Sequence, residues 1–153
     1  MKIKGLISED FVNYKKPAMT IMFPRCTFKC GEGYCQNSPL VKAENIELDV
    51  SDIVARYLNN PITESVVMQG LEPFDSWDDL IEFVKQLRES TDDDIVIYTG
   101  YYKEEIADKI ALLSKYKNII IKFGRFIPNQ EKHYDEVLGV YLASNNQHAE
   151  KIS

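Results

Sequence analysis

Apolar and polar positions along this chain follow two different periods, and the places where they switch define its elements. Ala18-Met19-Thr20-Ile21-Met22-Phe23 is a short apolar run ended by Pro24. Ser65-Val66-Val67-Met68, Ile95-Val96-Ile97-Tyr98 and Asn118-Ile119-Ile120-Ile121 are compact, β-branched runs bounded by turn residues or charges. Runs this short, with no polar position in alternation, predict strands buried on both faces. Val137-Leu138-Gly139-Val140-Tyr141-Leu142 predicts a fifth. Between the runs the period lengthens. Val50, Ile53, Val54, Tyr57 and Leu58 fall on one helical face, and Pro61 stops that helix just after Asn59-Asn60. Ser76 followed by Asp79 resembles a looser capping box, with Leu80, Phe83, Val84 and Leu87 as the apolar stripe behind it. A third helix is predicted from about Tyr102 to Tyr116, with Ile106, Ile110 and Leu113 turned inward.

Strands separated by single amphipathic helices are βα units, which favour a parallel sheet and an α/β domain. Ligands of such folds bind in the loops at the carboxyl ends of the strands. Three unusual loops stand there: the cysteine-bearing segment after Phe23, Gln69-Gly70-Leu71-Glu72-Pro73 after Met68, and Thr99-Gly100-Tyr101 after Tyr98. No internal repeat, low-complexity tract or linker interrupts the pattern, so residues 1–153 are expected to form a single domain.

Composition narrows the function classes. With 44% hydrophobic and 27% charged residues in 153, the chain has the balance of a globular protein. Apolar stretches such as Val66-Val67-Met68 fall far short of the roughly 20 residues that span a bilayer, so no membrane association is expected. Met1-Lys2-Ile3-Lys4-Gly5 is followed by Ser8, Glu9 and Asp10 instead of the apolar core of a secretory signal, which places the expected location in the cytoplasm. Eighteen Lys plus Arg against 24 Asp plus Glu give a net charge of -6, the wrong sign for binding nucleic acid. Asp92-Asp93-Asp94 reads as a solvated turn before a strand.

The only three cysteines are Cys26, Cys30 and Cys35. An odd number, clustered in one loop of a chain expected in a reducing compartment, argues against disulfides and for metal or redox chemistry. Closely spaced thiolates in a glycine-containing loop suit either an iron-sulfur cluster or a zinc ion. Zinc would need a fourth ligand, and the only histidines, His133 and His148, lie far downstream. Three thiolates on a cubane of four irons would leave one iron open to a substrate or cofactor. Burial as small hydrophobes fits less well, because Lys29, Glu32, Gln36 and Asn37 make the segment polar.

These residues resemble the cluster loop of radical S-adenosylmethionine (SAM) enzymes. Tyr34-Cys35-Gln36-Asn37 is similar to the aromatic-Cys-His-Asn ending found in the anaerobic ribonucleotide reductase activating proteins. The resemblance runs along nearly the whole chain: Asp10-Phe11-Val12-Asn13 before the first cysteine, Gly70-Leu71-Glu72-Pro73 for a Gly-Gly-Glu-Pro loop, and Tyr98-Thr99-Gly100-Tyr101 for Tyr-Thr-Gly-Tyr. Gly124-Arg125-Phe126-Ile127 and Ser144-Asn145-Asn146-Gln147 resemble its Gly-Pro-Phe and Ser-Ser-Asn-Gln elements, and all stand in the family's order. Three departures are visible. Cys30 and Cys35 enclose four residues where the family has two; Leu71 replaces a glycine; and Gln36 replaces a histidine. Gly31 and Gly33 supply backbone freedom to absorb the wider spacing.

The resemblance implies an incomplete (β/α)6 barrel carrying a 4Fe-4S cluster on Cys26, Cys30 and Cys35. SAM would bind the open iron, be cleaved reductively to methionine and a 5'-deoxyadenosyl radical, and so generate a glycyl radical on a partner enzyme such as anaerobic ribonucleotide reductase. An electron donor such as flavodoxin is implied with it. By position, Tyr34 would lie near the adenine, the backbone to Gln36 would touch SAM, and Gly70, Leu71 and Glu72 would form the loop that meets the methionine amino group. Thr99-Gly100 would contact SAM or turn the chain into the next helix. Asn145, Asn146 and Gln147 would contact cofactor or partner, or form a polar surface loop. Tyr98, Tyr101 and Tyr102 read as core, Trp77 as helix packing, and His133 and His148 as surface residues. Two alternatives stand beside this reading: a radical SAM enzyme that modifies a small molecule or peptide, and a noncatalytic cluster or zinc module.

Overall fold

The computed structural model of the chain describes residues 1–27 and 42–153. Its strands are β1 (Lys2–Ile3), β2 (Gly5–Asp10), β3 (Ala18–Phe23) and β4 (Ile46–Glu47), followed by helix α1 (Val50–Leu58) and β5 (Ser65–Gly70). A 3-10 turn, Pro73–Ser76, leads into α2 (Trp77–Arg88) and then β6 (Asp94–Tyr98). A second 3-10 turn, Lys103–Ile106, leads into α3 (Ala107–Leu113) and β7 (Ile119–Phe123). The chain closes with β8 (His133–Asp135), β9 (Val140–Leu142) and β10 (His148–Lys151). None of its described helices is long and apolar enough to cross a membrane.

The fold is α/β. Six strands form one sheet in the order β10-β7-β6-β5-β3-β2. The four predicted apolar runs are its centre, β3, β5, β6 and β7, all parallel, while β2 and β10 run antiparallel at the two margins. Alternation along each central strand divides the residues between two faces. Ile21, Phe23, Met68, Ile97, Ile121 and Phe123 pack under the three described helices, against Ile53, Phe83, Leu87 and Ile110 among others. Val67, Val96 and Ile120 point the other way and pack against Tyr14, Leu138, Leu142 and Ala149. The helices therefore share one face, and the opposite face is covered by the C-terminal part of the chain. Both faces are buried, as the unbroken apolar runs require.

Four expectations change in detail. The run Val137–Leu142 is not a strand of the main sheet: Val140–Leu142 pairs with His133–Asp135 in a separate hairpin, and Gly139, at φ 72°, makes the turn. The third helix starts as a 3-10 turn and ends at Leu113, its entry fixed by Glu105 accepting the Tyr102 amide at 2.8 Å. Ser76 precedes α2 but makes no capping bond; Glu72 accepts from the Phe74 amide at 3.1 Å and takes over that role one turn earlier. The aspartates at the start of β6 are not merely solvated. Asp93 accepts from the Tyr57 hydroxyl at 2.6 Å and Asp94 from the Tyr14 hydroxyl at 2.8 Å, so they tie the strand to elements on both faces.

Candidate functional site

The four parallel strands end on the same side, and their exits surround a cavity of about 420 Å³. Cys26 lines it after β3, Gly70 to Glu72 after β5, Thr99 and Gly100 after β6, and Lys122 and Gly124 at the end of β7. The three loops singled out in the sequence thus meet at one place. Gln147 and the Val140–Ala143 segment close the side away from the helices.

Gly70 is required by its position. Its φ of 98° lies in the left-handed region, and a Cβ there would stand 2.7 Å from the Phe23 amide nitrogen. The turn brings the next two amides back onto the neighbouring strand: Leu71 N–H donates to Phe23 O at 3.3 Å and Glu72 N–H to Arg25 O at 2.8 Å. The β3–β5 ladder is thereby prolonged to the residue before Cys26. Leu71 keeps a negative φ, so the side chain that replaces a glycine causes no backbone strain.

Glu72 is 1% exposed and is held by three donors. Oε1 accepts from Phe74 N–H at 3.1 Å and from the Thr99 hydroxyl at 2.8 Å, while Oε2 accepts from Gly100 N–H at 2.8 Å. Burial outweighs these bonds and pushes its carboxyl up to about 7. Thr99 passes the connection on by accepting from the Tyr101 amide at 3.0 Å. Thr99-Gly100 therefore lines the cavity and also forms the turn, joined to the β5 loop through one carboxylate.

A second clamp lies on the far side of Cys26, and two of its members, Thr27 and Asp75, carried no signal in the sequence. The Thr27 amide donates to Asp75 Oδ2 at 2.8 Å and the Thr27 hydroxyl to the same oxygen at 3.0 Å. The Tyr101 hydroxyl donates to Asp75 Oδ1 at 2.6 Å. Tyr101 is half-buried and packs against the core as expected, while its hydroxyl reaches the turn beside the cysteine. An acidic residue in a helix-entry turn is common, and only the tertiary contact shows what Asp75 grips. Cys26 itself is exposed, bracketed by Arg25 and Thr27. Cys30, Cys35, Tyr34 and Gln36 lie outside the described residues.

Sequence reasoning also missed Lys122. It is 7% exposed, donates to Gly124 O at 3.3 Å, and lies 5.5 Å from the centre of the Tyr98 ring. Burial lowers its pKa to about 8 although Glu72 pulls the other way. Tyr98, expected in the core, lines the cavity and donates its hydroxyl to Asn13 O at 2.5 Å. The C-terminal polar segment is bonded rather than loose. Gln147 Nε2 donates to Gly124 O at 3.2 Å, and Asn146 Nδ2 donates to the Tyr102 hydroxyl at 2.9 Å and to Arg125 O at 2.8 Å. Asn145 is exposed, is not among the residues that line the cavity, and donates its amide to Gln130 Oε1 at 3.0 Å.

The donor chemistry fits an iron-sulfur cluster. The described thiol of the cysteine segment is exposed at the cavity, with its two flanking residues fixed, where a buried structural cysteine would be enclosed. Neither His133 nor His148 lines the cavity, and no group of three His, Cys, Asp or Glu suited to a metal ion occurs among the described residues. A family model described as a 4Fe-4S single cluster domain matches residues 18–148. No curated protein and no solved structure matches the chain.

Proposed function

The chain belongs to the 4Fe-4S single cluster domain family, and from that membership we propose a radical SAM activase that installs a glycyl radical on a partner enzyme such as anaerobic ribonucleotide reductase. When bound, the reduced cluster would supply one electron to the SAM sulfonium, breaking a carbon-sulfur bond to give methionine and a 5'-deoxyadenosyl radical that abstracts hydrogen. Cys26, with Cys30 and Cys35, would hold the cluster, Tyr34 would lie near the adenine, and the backbone to Gln36 would touch SAM. The observation that carries the reading is the meeting of Cys26, the Gly70–Glu72 loop and Thr99–Gly100 around one cavity.

Within that cavity the chain's own groups have definite tasks. Gly70 and Leu71 turn so that the β5 loop lies alongside Arg25 and Cys26. Glu72 accepts one bond on Oε2 and retains an acceptor site there for the methionine ammonium, a charge-assisted contact. Asp75 and Tyr101 fix the backbone at Thr27, so the first cysteine meets the cluster from a set direction. An incomplete (β/α)6 barrel belongs to the same proposal: parallel central strands with every described helix on one face support it, since the inner face is then left for cofactor and reactant. A flavodoxin-type donor would supply the electron, and the protein partner would close the open side.

The enclosed Lys122 side of the cavity favours a second reading, in which the radical reaches a small molecule or peptide bound inside. Anaerobic reconstitution with iron and sulfide, followed by electron paramagnetic resonance with and without SAM, tests the common step. A 4Fe-4S signal that changes on adding SAM, with 5'-deoxyadenosine as product after reduction, supports it. A cluster indifferent to SAM, or a protein that takes up zinc and no sulfide, overturns it in favour of a binding module.

A further inference from the structure

Lys122 is a buried cation for which the protein itself supplies little. Its ammonium has three donor hydrogens, and among the described residues its hydrogen bond goes to one carbonyl, Gly124 O, at 3.3 Å. No carboxylate stands within 4.0 Å of it among the described residues, in contrast to Lys16, which meets Asp94 at 2.9 Å. The ring face of Tyr98, 5.5 Å away, stabilises the charge from one side only. A cation on a buried residue is costly unless something anionic meets it, and the open direction from Lys122 is the cavity it lines.

Its place in the sheet distinguishes it from the cofactor side. Cys26 follows β3 and Glu72 follows β5, whereas Lys122 is on β7; Thr99, just past β6, joins the two sides, its hydroxyl donating to Glu72 at 2.8 Å and its amide to Lys122 O at 2.9 Å. Adjacent strands are spaced about 4.8 Å apart, so β7 lies about 10 Å from β5 and about 14 Å from β3. Tyr98 pairs with Lys122 across the β6–β7 ladder, which sets the lysine on the inner face, opposite the helices. The net charge of -6 gives no general attraction to anions, so a local cation is the means by which this protein would hold one.

We propose that Lys122, with the Tyr98 ring and the Gly124–Gln147 contact around it, forms a carboxylate subsite that positions an acid group of the reactant at the β7 side of the cavity, separate from SAM. This rests on the reading of the cavity as a reaction chamber and adds the chemistry of what enters it. The carboxylate belongs to a free small acid or to an aspartate presented on a polypeptide, and its oxygens accept from the ammonium while its neutral amide counterpart would forfeit the charge-assisted bond.

Calorimetric titration of the cluster-loaded protein, kept anaerobic, tests it with acetate, succinate and acetyl-Gly-Asp-Gly-amide as probes and succinamide as the uncharged control. Wild-type protein is expected to bind at least one carboxylate saturably and not the amide; the stronger probe identifies the source. Lys122→Met and Lys122→Gln should each weaken that binding about tenfold or more, the scale of one lost charge-assisted bond, while the SAM-induced change in the paramagnetic resonance spectrum persists. Thermal melts confirm that at least one variant is folded; Met is isosteric with much of the Lys stem and removes a buried charge. Absence of saturable carboxylate binding, or equal affinity in both variants, overturns the subsite. So does a tenfold loss of SAM affinity in the variants without carboxylate binding, which would give Lys122 to SAM's own acid group. Failure of SAM cleavage with carboxylate binding intact would instead remove the activase reading and leave the subsite standing.

Discussion

Asp75 grips Thr27 through both its amide, at 2.8 Å, and its hydroxyl, at 3.0 Å, and so holds the chain one residue beyond Cys26. Its other oxygen takes the Tyr101 hydroxyl at 2.6 Å, linking the cysteine loop to the turn after β6. Asp75→Ala should leave the core intact, with a loss of about 1–3 kcal/mol from the unpaired donors. The informative readout is cluster retention. Iron release to a chelator should be several-fold faster than in wild type, with Tyr101→Phe between the two. Unchanged release rates would show that the clamp plays no part in holding the metal.

Gly70→Ala forces a Cβ to within 2.7 Å of a backbone nitrogen of β3, at a φ that side chains avoid. Both strands are central, so the clash has no margin to relax into. The expected loss is about 2–4 kcal/mol, combining left-handed strain with steric displacement. Urea unfolding measures it. A variant as stable as wild type would mean that the turn opens without cost.

Cys26→Ser tests a different quantity, because Cys26 is exposed and its replacement removes no packing. The melting temperature of the metal-free protein should stay within about 1–2 °C, the range of a surface substitution. Iron and sulfide after reconstitution should fall well below about four of each per chain. Full loading of the serine variant would move the first ligand elsewhere.

The raised carboxyl of Glu72 makes stability depend on pH in the less usual direction. Burial lifts it from 4.5 to about 7 against three hydrogen bonds. Between those values the folded chain holds a proton that the unfolded chain has released. Its contribution is therefore fully present below about pH 4.5 and is lost as pH rises through about 7. Urea midpoints of wild type and Glu72→Gln, followed from pH 5 to pH 8, should converge or cross instead of running parallel. Parallel curves would show that the carboxyl titrates alike in both states.

The central strands were legible because burial on both faces leaves an unbroken apolar run, and β3, β5, β6 and β7 begin within a residue of where those runs do. Asn118 stands at φ 57° just before β7, so it is the turn into that strand and not its first rung. The marginal strands were not legible. Gly5–Asp10 and His148–Lys151 carry charges and exposed positions, since an outer strand needs only one neighbour and one covered face. The motif loops could be read because Gly70, Glu72 and Thr99 are unusual where strands end. Lys122 and Asp75 could not. Lys122 continues an apolar strand and faces the cavity only through the pleat, and Asp75 shows its role only when Thr27 is brought to it by the fold.

The confinement of α1, α2 and α3 to one face of the sheet separates two kinds of inherited change. Substitutions beneath the helices alter how firmly the chain folds without reaching the wall where Lys122, Tyr98 and Gln147 stand, because a layer of β-strand lies between. Changes in residues 124–147 remodel one wall of the chamber, and touch the helical side at the entry to α3, where Arg125 pairs with Glu105 and Asn146 with Tyr102. A chain built this way can be retargeted from residues 124–147, and a library confined to that segment is the economical place to look for new reactants.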